Sequence, residues 1–195
     1  MREQEKLVAF IRQTFPMPLQ DAEAIAARFT ETHFEKNDML VREGKMCNEY
    51  YFLDKGFARA FTHDIEGNDI TTALYASNNV VCELFSFFKR IPSKENIQAL
   101  CDCKTWRLTF DELQDVFHSM VLFREFGRTI LINSYASLKQ RMLSALQETA
   151  EERYAHLIKS NPDVFQYVPL KHIATYLGVT DTSLSRIRKE FSKMQ

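Results

Sequence analysis

Between residues 32 and 108 the chain breaks into short runs rich in β-branched and aromatic residues: HF, MLV, YYFL, FARAF, ITTALY, VV, IQAL and TWRL. The turn clusters KND, EGK, DKG, IEGND and SNN separate them. This texture constrains the fold more than any other feature, because such short runs bury their apolar sides only by sharing one layer. The spacing predicts about eight antiparallel strands rolled into a sandwich or barrel. Three of the five glycines, Gly44, Gly56 and Gly67, fall in these turns, where a missing Cβ makes positive φ accessible. The other two are Gly127 and Gly178, so no glycines remain for a G-x-G-x-x-G loop, a P-loop or a G-x-S-x-G elbow.

Helical periodicity flanks the β-rich stretch. Residues 4–15 and 19–29 read as two helices split by Pro16 and Pro18. After the strands, Thr109 and Glu112 have the spacing of a capping box. A longer helical pattern then runs from 121 to 146, with Leu131, Tyr135, Leu138 and Met142 stepping by four, three and four along a coiled-coil-like seam. Leu122, Phe126 and Ile130 lie off that seam, so the helix needs two partner surfaces. Its own β domain is one and a second copy of the helix is the other. Gly127 costs this helix about 1 kcal/mol relative to alanine, which close packing would explain. Thr149 and Glu152 form a second capping box for a helix over 150–159, which makes 146–148 a hinge.

The formal net charge of −1 excludes a chain that is basic all over, so any nucleic-acid surface must be local. Residues 171–193 supply it: Lys171, Arg186, Arg188, Lys189 and Lys193 face only Asp181 and Glu190. No stretch approaches the roughly 18 apolar residues of a membrane span, and the N-terminal KLVAFIRQTF is too short and charged for a signal peptide. A cytoplasmic protein is expected. Cys47, Cys82, Cys101 and Cys103 include no C-x-x-C and no zinc-type spacing, and read as buried free thiols. The histidines (His33, His63, His118, His156, His172) form no i,i+4 pair, so no metal site is expected.

The segment PLKHIATYLGVTDTSLSRIRKEF, residues 169–191, is built for a purpose. Pro169 suits a first helical turn, Ile173, Ala174 and Leu177 share one face, and Gly178 permits a sharp turn. Thr180 is an N-cap for a second helix in which Leu184, Ile187 and Phe191 point inward. Thr182, Ser183, Arg186 and Lys189 share the opposite face. This is the pattern of a helix-turn-helix with its second helix sized for the major groove.

Arg186 is the candidate base reader, since its fork can donate two hydrogen bonds to guanine, worth about 1–3 kcal/mol of discrimination. Thr182 and Ser183 can reach base edges or phosphates, Thr180 and Ser185 are further candidate DNA-binding positions, and Lys171, Arg188, Lys189 and Lys193 meet phosphates. Asp181 caps the helix or accepts from a cytosine amine.

In this order, the stretches LVREGKMCNEYYFLDKGFARAF, CELFSFF, EERYAHLI and IATYLGVTDTSLSRIRKEF resemble the Crp/Fnr family of bacterial transcription regulators over nearly the whole chain. The resemblance implies an α+β chain in three parts. These are a cyclic-nucleotide-binding-like jelly-roll sensor with N-terminal helices over 1–120, a long dimerisation helix over 121–147, and an all-α helix-turn-helix domain over 148–195. It implies double-stranded DNA, a second copy, RNA polymerase and an unidentified small-molecule effector as partners, with no membrane. No cofactor and no enzyme activity are expected.

The family's effector cassette reads roughly G-E-L followed by an Arg-Ser pair. Here Cys82-Glu83-Leu84 keeps the glutamate and loses the glycine, and Ser93 and Lys94 take the Arg-Ser positions. Without that arginine no guanidinium fork meets a cyclic phosphate, and lysine is a different kind of partner. Leu138 and Lys139 occupy the dimer-helix positions that touch adenine in the family. Tight cyclic AMP binding is therefore not expected. No N-terminal cysteine cluster or haem ligand set is evident. The sequence stops four residues after Phe191, where family members usually enter a β-hairpin wing, so a wing-less short form is expected. The family's Arg-Glu…Arg reading trio becomes Asp181, Thr182 and Arg186, so its best-known target sequence is not expected. The competing reading is a small-molecule-sensing module whose helix-turn-helix contacts protein rather than DNA.

Overall fold

The computed structural model describes residues 4–194. Two helices come first, α1 (Glu5–Thr14) and α2 (Leu19–Ala26). The strands β1 (Thr30–Phe34), β2 (Met39–Val41), β3 (Glu49–Lys55), β4 (Phe57–His63), β5 (Asp69–Ala76) and β6 (Asn79–Val81) follow. A short helix α3 (Leu84–Lys89) precedes β7 (Asn96–Ala99) and β8 (Cys103–Thr109). The remainder is helical: α4 (Phe110–Ser119), α5 (Val121–Gln147), α6 (Ala150–Ser160), α7 (Val164–Tyr167), α8 (Leu170–Leu177) and α9 (Asp181–Met194).

The strands form two antiparallel four-stranded sheets, in the orders β1-β8-β3-β6 and β2-β7-β4-β5, so that, apart from the β4–β5 hairpin, consecutive strands cross between layers as in a jelly roll. Gly44, Gly56 and Gly67 all have positive φ in the connections. At Gly56 a side chain would be strained and crowded, because an added Cβ would lie 2.5 Å from the Cys103 sulfur.

β3 is buried almost throughout because both of its faces are covered. Phe52 packs at a tilt against Phe10 of α1, ring centres 4.9 Å apart, and Phe10 in turn meets Phe126 of α5 edge-on. The buried Asp54 carboxylate accepts from the Trp106 indole N–H at 3.1 Å and pairs with Lys6 at 3.0 Å, which compensates its desolvation. α2 ends at Ala26, so Phe29 lies beyond it and is buried in the core as part of the connection to β1.

Both capping boxes are present, at Thr109/Glu112 opening α4 and Thr149/Glu152 opening α6. α5 is one 27-residue helix with two environments. Phe123, Phe126 and Ile130 are buried against the roll. Leu131, Tyr135, Leu138 and Met142 are 41–65% exposed in this single chain. Gly127 has a physical reason: a Cβ there would approach the Phe117 ring of α4 to 3.0 Å. Among the described residues, no helix is long and apolar enough to cross a membrane.

Candidate nucleic-acid interface

The last three long helices close a small second core. Leu184 and Ile187 of α9 are buried with Ile173, Ala174 and Leu177 of α8 and with Tyr154 and Leu157 of α6, while Phe191 packs alongside. The Ala174 side chain is small enough for the helices to approach closely. Gly178 ends α8 in the left-handed region, φ 68°, and the Val179 N–H donates to the Ala174 carbonyl across it. Pro169 stands one residue ahead of the helix as its N-cap, rather than inside the first turn as the sequence suggested, and its carbonyl accepts from His172 and Ile173. Thr180 Oγ1 accepts from the Ser183 N–H and so caps α9. Arg153 of α6 fixes the whole unit, donating to the Leu177 carbonyl at 2.9 Å and to the Glu148 carbonyl at 2.6 Å.

This packing presents the opposite side of α9 outward. Thr180, Asp181, Thr182, Ser185, Arg186, Arg188 and Lys189 are exposed, as is Lys171 on α8, and Ser183 is half-buried. Among the described residues, neither Arg186 nor Lys189 is in an ion pair. The Arg188 guanidinium lies 5.3 Å from the centre of the Phe165 ring, so it is partly held by the domain's own surface. Ser185 donates to the Asp181 carbonyl within the helix.

The helical unit is docked on the roll. α8 lies along β5, where Thr71 N–H donates to Thr175 Oγ1 at 3.2 Å, and Phe57 stacks on Tyr167 at 5.4 Å. At the centre of this seam, Arg59, 3% exposed, donates to His172 Nδ1 at 2.8 Å, to Asp69 at 2.6 Å and to Gln98. Arginine can only donate, so Nδ1 is the acceptor and the imidazole is neutral with its proton on Nε2. Burial, then the adjacent Arg59 charge, lowers the His172 pKa to about 4. No sequence motif marks this cluster, since Arg59 and His172 are 113 residues apart.

The cassette positions are occupied by groups that serve the fold. Both oxygens of the Glu83 carboxylate are used on α3, accepting from the Phe85 and Ser86 N–H groups. Leu84 packs partly buried against the core. Ser93 is buried with its hydroxyl donating to the Glu95 carbonyl, and Lys94 is exposed. Leu138 is 65% exposed on α5. Also on α5, the charge of Arg141 acts on Tyr75, and its guanidinium lies 4.8 Å from the centre of the Tyr176 ring of α8. Burial, with Glu95 and Cys82 nearby, holds the Tyr75 hydroxyl well above its ordinary pKa. Among the described residues, no group of three or more His, Cys, Asp or Glu side chains could hold a metal.

Residues 31–120 match the cyclic nucleotide-binding domain family. Solved structures of similar fold include FixK2 from Bradyrhizobium japonicum (TM-score 0.72, 16% identity, 85% of each chain covered). A CooA mutant from Carboxydothermus hydrogenoformans (TM-score 0.64, 17% identity) overlaps 88% of this chain and 79% of its own. A structure described as that of a transcriptional regulator of the Crp/Fnr family, from Eubacterium rectale (TM-score 0.68, 13% identity), overlaps 93% of this chain and 88% of its own. Among curated proteins, the voltage-gated inwardly rectifying potassium channel KCNH7 of Mus musculus is 26% identical over 131 residues, 66% of this chain and 10% of the channel. The chain thus spans about a tenth of the length of the curated relatives it matches. Residues 31–120 are thus similar to the cyclic nucleotide-binding domain family, and the fold of the whole chain is similar to that of these solved structures.

Proposed function

We propose that this chain is a homodimeric, sequence-specific DNA-binding transcription regulator of the Crp/Fnr type, acting in the cytoplasm. The observation that carries the proposal is the division of α9 between a buried apolar side, Leu184 and Ile187, and an exposed side bearing Thr182, Arg186 and Lys189. Such a helix is anchored from behind and free in front, as major-groove insertion requires. Arg186 reads a guanine, Thr180, Asp181, Thr182, Ser183 and Ser185 line the same reading edge, and Lys171, Arg188 and Lys189 meet phosphates.

The three-part division is a sensor over 1–120, a dimerisation helix over 121–147 and a DNA unit over 148–195. The exposed row Leu131, Tyr135, Leu138 and Met142 supports the second part, because an apolar row of this kind is stable once a second copy covers it. The sensor does not hold cyclic AMP tightly. Glu83 already caps α3, and the position of the missing arginine is taken by Ser93, bonded to Glu95.

Fluorescence anisotropy on duplex DNA from the region upstream of its own gene tests the reading. Affinity falls as salt rises, and Arg186→Ala weakens binding by about tenfold or more without lowering thermal stability. Binding that ignores salt, or an unchanged Arg186→Ala, favours the protein-contact reading instead.

A further inference from the structure

Two thiols meet where the family's cassette begins. Cys47, in the connection between β2 and β3, and Cys82, the residue ahead of the Glu83 cap, have sulfurs 3.9 Å apart. Both residues are buried, at 2% and 7% exposure. The two segments that carry them are tied by further bonds: the Cys47 N–H donates to Ser86 Oγ at 2.9 Å, and Arg90 donates to the Cys47 carbonyl at 3.1 Å. The pair is therefore held in register by its surroundings.

We propose that Cys47 and Cys82 form a reversible intramolecular disulfide with a small hydroperoxide as the oxidant. Closing it brings the sulfurs from 3.9 Å to about 2.0 Å. The Cys82 thiol, followed by the backbone groups of Glu83 and Glu49, lowers the Cys47 pKa to about 7 despite its burial, while burial holds Cys82 well above the thiol range. Cys47 is thus the attacking thiolate and Cys82 the resolving thiol.

Its sulfur attacks one peroxide oxygen. The S–O bond forms as the O–O bond breaks, and the departing oxygen leaves as water or an alcohol after taking a proton. Cys82 then attacks the sulfenic sulfur, the S–S bond forms, the S–O bond breaks, and hydroxide leaves with the Cys82 proton as water. Two thiols lose two electrons to one peroxide bond. Burial restricts the oxidant to one little larger than water. The consequence reaches the sheet, because Cys82 is close enough to act electrostatically on Tyr75 of β5, the strand to which α8 is bonded.

The competing thiols provide an internal control. Cys103 packs against Gly56, and burial pushes its pKa up to about 12. The full chain is titrated with hydrogen peroxide, quenched by alkylation in denaturant, digested and mapped by mass spectrometry. A cross-linked Cys47–Cys82 peptide is expected, forming about tenfold faster or more than loss of the Cys103 thiol and reversed by dithiothreitol. In Cys82→Ser, the cross-link is absent and dimedone labels Cys47. The wild-type measurement stands alone if that variant does not fold. Oxidation of Cys101 or Cys103 while Cys47 and Cys82 remain alkylatable overturns the proposal, as do disulfides that form only between chains.

Discussion

The seam between the helical unit and the roll is set to fail in acid, and its failure can be sized. His172 accepts from Arg59 through Nδ1, so protonating that nitrogen removes the bond and sets two cations 2.8 Å apart. The other charged groups facing the imidazole are Asp69, which favours protonation, Lys171, which opposes it, and Asp181, which favours it. In the docked state the pKa is about 4, against 6.5 when the ring is exposed. A histidine with a depressed native pKa leaves stability untouched above 6.5. As pH falls from 6.5 towards 4, the undocked or unfolded form takes up a proton that the docked form refuses, and stability drops. Between pH 7 and pH 5 this linkage removes about 2 kcal/mol, a shift of roughly twentyfold in the equilibrium.

The assay is chemical denaturation of the wild type and His172→Gln at both pH values, because Gln keeps an acceptor for Arg59 and does not titrate. The wild type should lose about 2 kcal/mol more than the variant over this interval. Parallel losses in the two proteins would refute the assignment of the imidazole as a buried neutral acceptor.

Three further perturbations follow from packing and caps. Gly56→Ala combines positive φ with a 2.5 Å overlap on the Cys103 sulfur, so calorimetry should show a loss of about 2 kcal/mol or more. Ile187→Ala empties a site 5% exposed between α6 and α8 and should cost about 2–5 kcal/mol in denaturant melts. An unchanged midpoint would mean that α9 is not held through this residue. Thr149→Ala removes the side-chain acceptor of the α6 capping box, and a loss of about 1 kcal/mol is expected by thermal melting.

Local chemistry made much of this fold legible. Gly44, Gly67, both capping boxes and the Gly178 turn are set by residues within a few positions of themselves, and the α5 apolar rows follow from spacing along one helix. Sequence reading missed α3 because CELFSFFK lacks a clear period and its cap is Glu83, a residue reserved for a ligand by the family resemblance. It also left Gly127 without a stated neighbour, which the Phe117 ring supplies. The Cys47–Cys82 contact and the Arg59–His172 cluster were illegible for a different reason. Their members are 35 and 113 residues apart, and only the closure of the roll and the docking of α8 on β5 bring them together. Spacing rules for redox and metal motifs operate over a few residues and pass over such pairs. On α9 the pattern of apolar and polar positions could be read directly, whereas the stacking of Arg188 near Phe165 depended on tertiary placement.

The most direct test of a DNA-reading α9 is enrichment of bound duplexes from a random-sequence library at near-physiological salt. The account predicts a pseudo-palindrome whose half-sites lie about one helical turn apart, 10–10.5 base pairs, with a guanine lost from the consensus when Arg186→Ala is used. Recovery of no motif, or of one unaltered by that substitution, would contradict it.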